Sequence, residues 1–206
     1  MVNGAGVRRA IRTGTSLSHT SSRDPGGASS RRRPSFVSTA PEGDRSRIST
    51  ATTLRGPLSC LNEARFGIVW GSVGAGRACF ESALEYAKER IVFGKPIAGY
   101  QLTQEKLAEM ALELNRGALV ALHLGRMKDA ETLRPEQVSL GKMGNVRGAL
   151  DVARAARTIL GANGVTLEYP VIRHVNNLES VLTYEGTHEV HTLVVGEALT
   201  GENAFR

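Results

Sequence analysis

The chain has 206 residues, 41% hydrophobic and 5% aromatic, enough for one ordinary domain with an aliphatic core but without the run of about 18 apolar residues that a membrane-spanning helix needs. Two cysteines, Cys60 and Cys79, exclude a disulfide framework, and they lack the C-x-x-C spacing of a zinc or redox site; a reducing, intracellular setting is expected. The formal charge of +6 is concentrated in residues 1–57, which hold ten arginines, no lysine and three acidic residues, while residues 58–206 balance at −1. With Phe36 as its single aromatic and no periodicity, that basic quarter does not read as a nucleic-acid-binding face.

Residues 1–57 are rich in Arg, Ser, Gly, Thr and Pro, as in SSRDPGGASSRRRPSF. Such a segment buries too little apolar surface to offset its ordering entropy, so it is expected to be disordered. Three origins fit: an organelle transit peptide, a solvated tail, or the translation of an unselected GC-rich frame. From Leu58 the texture changes. Phe66, Val69, Val73, Phe80, Leu84, Ala87 and Ile91 recur at helical spacing, predicting a helix from about Asn62 to about Val92 that Gly94 and Pro96 end. A second helix begins near Leu102. It carries one apolar stripe of Leu107, Met110, Leu114, Ala121 and Leu124 and another of Leu112, Leu119 and Leu122, the pattern of a helix covered on two sides. A Gly- and Ala-rich third helix runs from about Glu136 to Leu160, with Pro135 at its start and GANG (161–164) at its stop. A short segment follows around Leu167–Leu182, then a helix from near Thr187 to before Gly201. The expected fold is all-α, an up-and-down bundle of four main helices over residues 58–206.

The candidate chemistry gathers near the last helix. Glu185 stands between Tyr184 and Gly186, just before a helix start. A carboxylate there can serve as a general base if it faces a pocket without an ion-pair partner, or it can be a solvated part of a capping sequence. Gly186 admits close approach to the backbone, and Thr187 is a plausible N-cap. His188 and His191 are three apart without a third ligand, so no metal site is expected. Arg90, near the end of the first helix, can complement the helix dipole or meet a phosphate.

The segments RIVFGKPI (90–97) followed by Gln101, ILGANG (159–164) followed by EYPVIRH, and YEGT (184–187) stand in an order and spacing that resemble the C-terminal helical domain of the acyl-CoA dehydrogenase family. The stretches LSCLNEARFGIVWG, VIRHVNNLESVLTYEGTHEVH and ALTGENAF look like the glutaryl-CoA dehydrogenase branch; the general branch reads YEGTSQIQR at the same loop. The resemblance covers residues 58–206. It departs at Ala162, where relatives carry Gly, and at Glu189, where they carry Gln or Asp.

The resemblance implies a flavoprotein that uses FAD. Glu185 is then the base that removes the acyl α-proton, with Gly186 against the thioester. Thr187, His188 and Glu189 face the flavin. Arg90, Phe93 and Gln101 reach the FAD of a neighbouring subunit, and Thr158, Ile159, Leu160, Gly161 and Ala162 line its adenine end. Leu58, Ser59, Cys60, Leu61, Asn62, Glu63, Ala64 and Arg65 flank the CoA chain. Glutaryl-CoA would be oxidised and decarboxylated to crotonyl-CoA, in a homo-oligomer that passes electrons to an electron-transfer flavoprotein, in the cytoplasm of a bacterium or the mitochondrial matrix of a eukaryote. The family's N-terminal and middle domains have no counterpart in this sequence, so the chain alone is expected to be inactive. The alternatives are a non-catalytic helical oligomerisation module, a subunit completed by separately encoded domains, and an acyl-CoA dehydrogenase of different chain specificity.

Overall fold

The computed structural model describes residues 55–205; the expected disorder of residues 1–57 lies outside the described residues except for its last three. Those three already belong to the first helix, α1 (Arg55–Glu89). The helix begins seven residues before Asn62 because Pro57 falls in its first turn, where a missing N–H costs nothing. It ends at Glu89 rather than Val92. Ile91 leaves the helix to pair with Pro96, and Val92 with Lys95, in a two-stranded antiparallel hairpin, β1 (Ile91–Val92) and β2 (Lys95–Pro96). Phe93 and Gly94 form its tip with φ of 51° and 81°, the paired positive φ values of a tight hairpin turn. The Tyr100 hydroxyl donates to Val92 O at 2.8 Å and pins the hairpin to the next element.

Helix α2 (Gln101–Asp129) and helix α3 (Pro135–Leu160) follow. Helix α3 is central and packs against α1 and α2, and also against α4 (Val171–Thr183) and α5 (His188–Thr200). Its sequence explains this place. Val138, Val146, Ala149, Leu150, Val152, Ala153, Ala156 and Leu160 are all buried, and small residues between them bring the neighbours close. At Gly141 a Cβ would collide with the Leu124 side chain and stand 3.3 Å from Val69 Cγ2, so glycine sets the α1–α2–α3 approach. Asn145 ties the same three helices: its Nδ2 donates to Val69 O at 3.1 Å and to Gly117 O at 2.9 Å.

The described residues therefore form five α-helices, one more than the sequence suggests, because the segment taken as short is the full helix α4. The first stripe of α2 faces inward, with Met110, Ala121 and Leu124 buried. The second stripe, Leu112, Leu119 and Leu122, is exposed. Among the described residues no helix is long and apolar enough to cross a membrane.

Candidate active site

Glu185 and Gly186 occupy the turn between α4 and α5, and both have positive φ, 57° and 91°. A non-glycine residue in the left-handed region carries a cost of roughly 1–2 kcal/mol, which persists only where the surroundings over-determine it. Here three side chains from three helices do so. Lys142, from the middle of α3, donates from Nζ to Tyr184 O and to Gly186 O, each at 2.6 Å. Arg65, from the start of α1, donates from Nε to Glu185 O at 2.9 Å. His191, one turn into α5, donates from Nε2 to the same carbonyl at 3.2 Å. A carbonyl can only accept, so this contact fixes the Nε2–H tautomer of His191 and leaves Nδ1 as an acceptor. Thr187 caps α5, accepting from Val190 N at 3.3 Å. At Gly186 a Cβ would stand 2.9 Å from His191 Nε2, so the position admits only glycine on steric as well as conformational grounds.

The cluster's electrostatics follow from burial. Lys142 and His191 are each 1% exposed. Burial, and then the Arg65 charge, push the Lys142 ammonium down to about 8, while the Glu185 carboxylate pulls it back up. Burial, then Lys142 and Arg65, push His191 down to about 4, against its hydrogen bonds to the backbone of Glu185 and Gly186. His191 is therefore neutral at pH 7. The Glu185 backbone is held throughout, but among the described residues its buried Oε2 has no hydrogen-bond partner, nor do Nδ1 of His188 and Nδ1 of His191. Buried polar atoms left unpaired around one carboxylate mark a place where another group is expected to bind.

The other residues singled out from the sequence separate into two regions. Phe93, Gln101, Thr158 and Ile159 line one open groove of about 510 Å³, together with Val92, Tyr100 and Lys106. Phe93 is 93% exposed at the hairpin tip. Arg90 is exposed and outside this lining, as are Gly161 and Ala162 in the 3-10 turn Gly161–Val165, while Leu160 is part of the core. On α1, Leu58, Ser59, Cys60, Glu63 and Ala64 are exposed, and Leu61 and Asn62 are half-buried. Ser59, Asn62 and Glu63 border a cavity of about 240 Å³ shared with Lys128 and Arg134, and Glu63 pairs with Lys128. Arg65, grouped with this stretch in the sequence, spends its Nε on the Glu185 turn. At the start of α5, His188 is half-buried and Glu189 is exposed, its carboxyl held below the usual range by its own backbone N–H and by Thr187. Sequence reasoning missed Lys142 and the role of His191. Lys142 was detectable: it lies four residues from both Val138 and Val146, on the buried stripe of α3.

The fold is a helical bundle with a carboxylate on a clamped left-handed turn and, apart from it, an open groove at the hairpin. The family model described as "Acyl-CoA dehydrogenase, C-terminal domain" matches residues 55–200, and the chain belongs to this family. It is similar to the crystal structure of glutaryl-CoA dehydrogenase from Mycobacterium smegmatis, with 67% identity and a TM-score of 0.74 over 76% of this chain and 40% of that one. A structure of a glutaryl-CoA dehydrogenase from the same organism in complex with FADH2 is 62% identical, with a TM-score of 0.74 and the same shares, 76% and 40%. Glutaryl-CoA dehydrogenase of Desulfococcus multivorans is 32% identical over 136 residues, 66% of this chain and 35% of that protein. The chain thus spans little more than a third of the length of the curated relatives it matches.

Proposed function

We propose that this chain carries the catalytic base of an FAD-dependent acyl-CoA dehydrogenase of the glutaryl-CoA type. The observation that supports this best is the Glu185 carboxylate, whose backbone is fixed by Lys142, Arg65 and His191 while Oε2 stays buried without a partner among the described residues. A general base needs a fixed position and a free lone pair aimed at the proton it takes. In this reading Glu185 accepts the proton from the carbon next to the thioester. Gly186, lacking a Cβ, lets the thioester come close to the backbone. Leu58 to Arg65, within the first three turns of α1, would lie against the CoA chain.

The residues present fit part of a flavin dinucleotide. The groove holds Gln101, Lys106 and Thr158 as polar groups over the aliphatic Val92 and Ile159, a mixture suited to one end of such a cofactor and too open to enclose the whole of it. Phe93, Gln101, Thr158 and Ile159 would hold that end of a neighbouring subunit's FAD, with Arg90 as a cation for its phosphates and Leu160, Gly161 and Ala162 behind its adenine end. Thr187, His188 and Glu189, beside the base, would face a flavin ring. FAD, when bound, supplies the two-electron acceptor for hydride from the β-carbon. With glutaryl-CoA, loss of the distal carboxylate as CO2 then gives crotonyl-CoA, and electron-transfer flavoprotein takes the electrons onward.

The test is to replace the corresponding domain of the Mycobacterium smegmatis enzyme with residues 55–206 of this chain. The chimera is expected to retain FAD, to lose its flavin absorbance on addition of glutaryl-CoA, and to release CO2. A folded, FAD-loaded chimera that glutaryl-CoA does not reduce would overturn the reading. A second reading, a helical oligomerisation module, is favoured by the exposed stripe Leu112, Leu119 and Leu122 of α2.

A further inference from the structure

Lys142 is nearly inaccessible, yet none of the ion pairs among the described residues includes it. Its bonds go instead to two backbone carbonyls, Tyr184 O and Gly186 O, that stand on either side of Glu185. As a device for stability alone this is a poor choice, because an apolar side chain of similar volume fills such a site without desolvating a charge. The bonds have a geometric consequence. Carbonyls of residues two apart in an extended strand point the same way but lie far apart, whereas these converge on one nitrogen. They do so where the intervening Glu185 and the following Gly186 both have positive φ. Arg65 and His191 act differently, since both bind the single carbonyl of Glu185 itself.

We propose that Lys142 is the positioning residue of the candidate base: its ammonium, bonded to the carbonyls on both sides of Glu185, selects the left-handed conformation that presents the carboxylate from the turn. Glycine at position 185 would adopt that conformation without Lys142, but glycine has no carboxylate. The buried cation is the means by which a side-chain-bearing residue is kept there. The catalytic meaning of this inference rests on Glu185 acting as the base, but the conformational statement does not.

The experiment therefore reads conformation in the full 206-residue chain and leaves turnover aside, so its failure and a failure of the base assignment are distinguishable. E185Q and E185G are each made in the wild-type and in the K142M background, and thermal midpoints are compared. The E185Q-to-E185G step changes backbone freedom at constant charge. With Lys142 present the step is expected to raise the midpoint, because glycine relieves left-handed strain. With K142M the residue is released and the gain is expected to vanish or reverse. A side chain that only fills space would leave the step the same in both backgrounds, and an equal gain overturns the proposal. If K142M does not fold, the wild-type chain labelled with 15N-lysine decides. One ammonium with protons exchanging more slowly than those of the exposed lysines is expected, and exchange as fast as the rest overturns the proposal.

Discussion

The Glu185–Gly186 turn is held by side chains from three helices, and two measurements follow from it directly. Gly186 combines φ of 91° with a Cβ position 2.9 Å from His191 Nε2. Gly186→Ala is expected to lower stability by about 1–3 kcal/mol, read as a fall in the urea midpoint at unchanged m value; an unchanged midpoint would show that the turn has room the geometry denies it. His191 gives a pH signature. Its folded value, about 4, lies below the ordinary histidine value of 6.5, so between those limits the unfolded chain binds more protons than the folded one. Stability from this group is then complete above about pH 6.5 and is lost as pH falls toward 4. Glutamine can donate to the Glu185 carbonyl but does not titrate. His191→Gln is expected to flatten the stability profile between pH 4 and 6.5, and an unaltered slope would assign the proton uptake to another group. At this scale the sequence was informative about Glu185, Gly186 and Thr187, whose neighbours in the chain announce a turn and a helix cap. It was silent on the clamp, because Lys142, Arg65 and His191 come from three helices, up to 120 residues from the carbonyls they hold. Only tertiary packing brings them together.

At the scale of elements, α2 and α3 were legible almost to the residue, since their apolar spacing and the Pro135 and Gly161 signals agree. The boundaries of α1 were less so. Periodicity continues through Ile91, but hairpin pairing with Pro96 captures that residue. Helix α4 was missed as a helix of 13 residues, although Val171, Val175, Leu178 and Leu182 repeat at spacings of four, three and four and all contribute to the core. The polar run Asn176–Asn177 and the lack of a capping side chain hid it. The two stripes of α2 were both read correctly as apolar, but only one is covered by this bundle. Leu119 is 67% exposed, and Leu102, Leu112, Val120 and Leu122 are exposed with it. Exposed apolar area of this kind marks an interaction surface. The chain is expected to self-associate at micromolar concentration in light scattering, and Leu119→Glu with Leu122→Glu is expected to reduce that association while keeping the helical circular dichroism. A wild-type chain that scatters as a monomer would contradict this.

On the scale of the whole molecule, the family and the five-helix bundle account for the residues described, and the matched relatives are two to three times longer than the stretch they share with it. This proportion gives the site its character. The proposed base stands on a clamped turn and the proposed cofactor groove is open, so the proposed chemistry needs further walls to exclude water and align an acyl chain, since positioning alone can carry ~7–11 kcal/mol of a barrier. The central claim is that Glu185 takes the proton. The most direct measurement is stopped-flow reduction of the flavin by glutaryl-CoA in the domain-replaced Mycobacterium smegmatis enzyme, with Glu185 and with Glu185→Gln. Glutamine keeps the shape of the side chain but cannot accept a proton. The reduction rate is predicted to fall by at least ~10²–10⁴-fold with FAD content unchanged, and a variant that reduces its flavin at a near-normal rate would contradict the account.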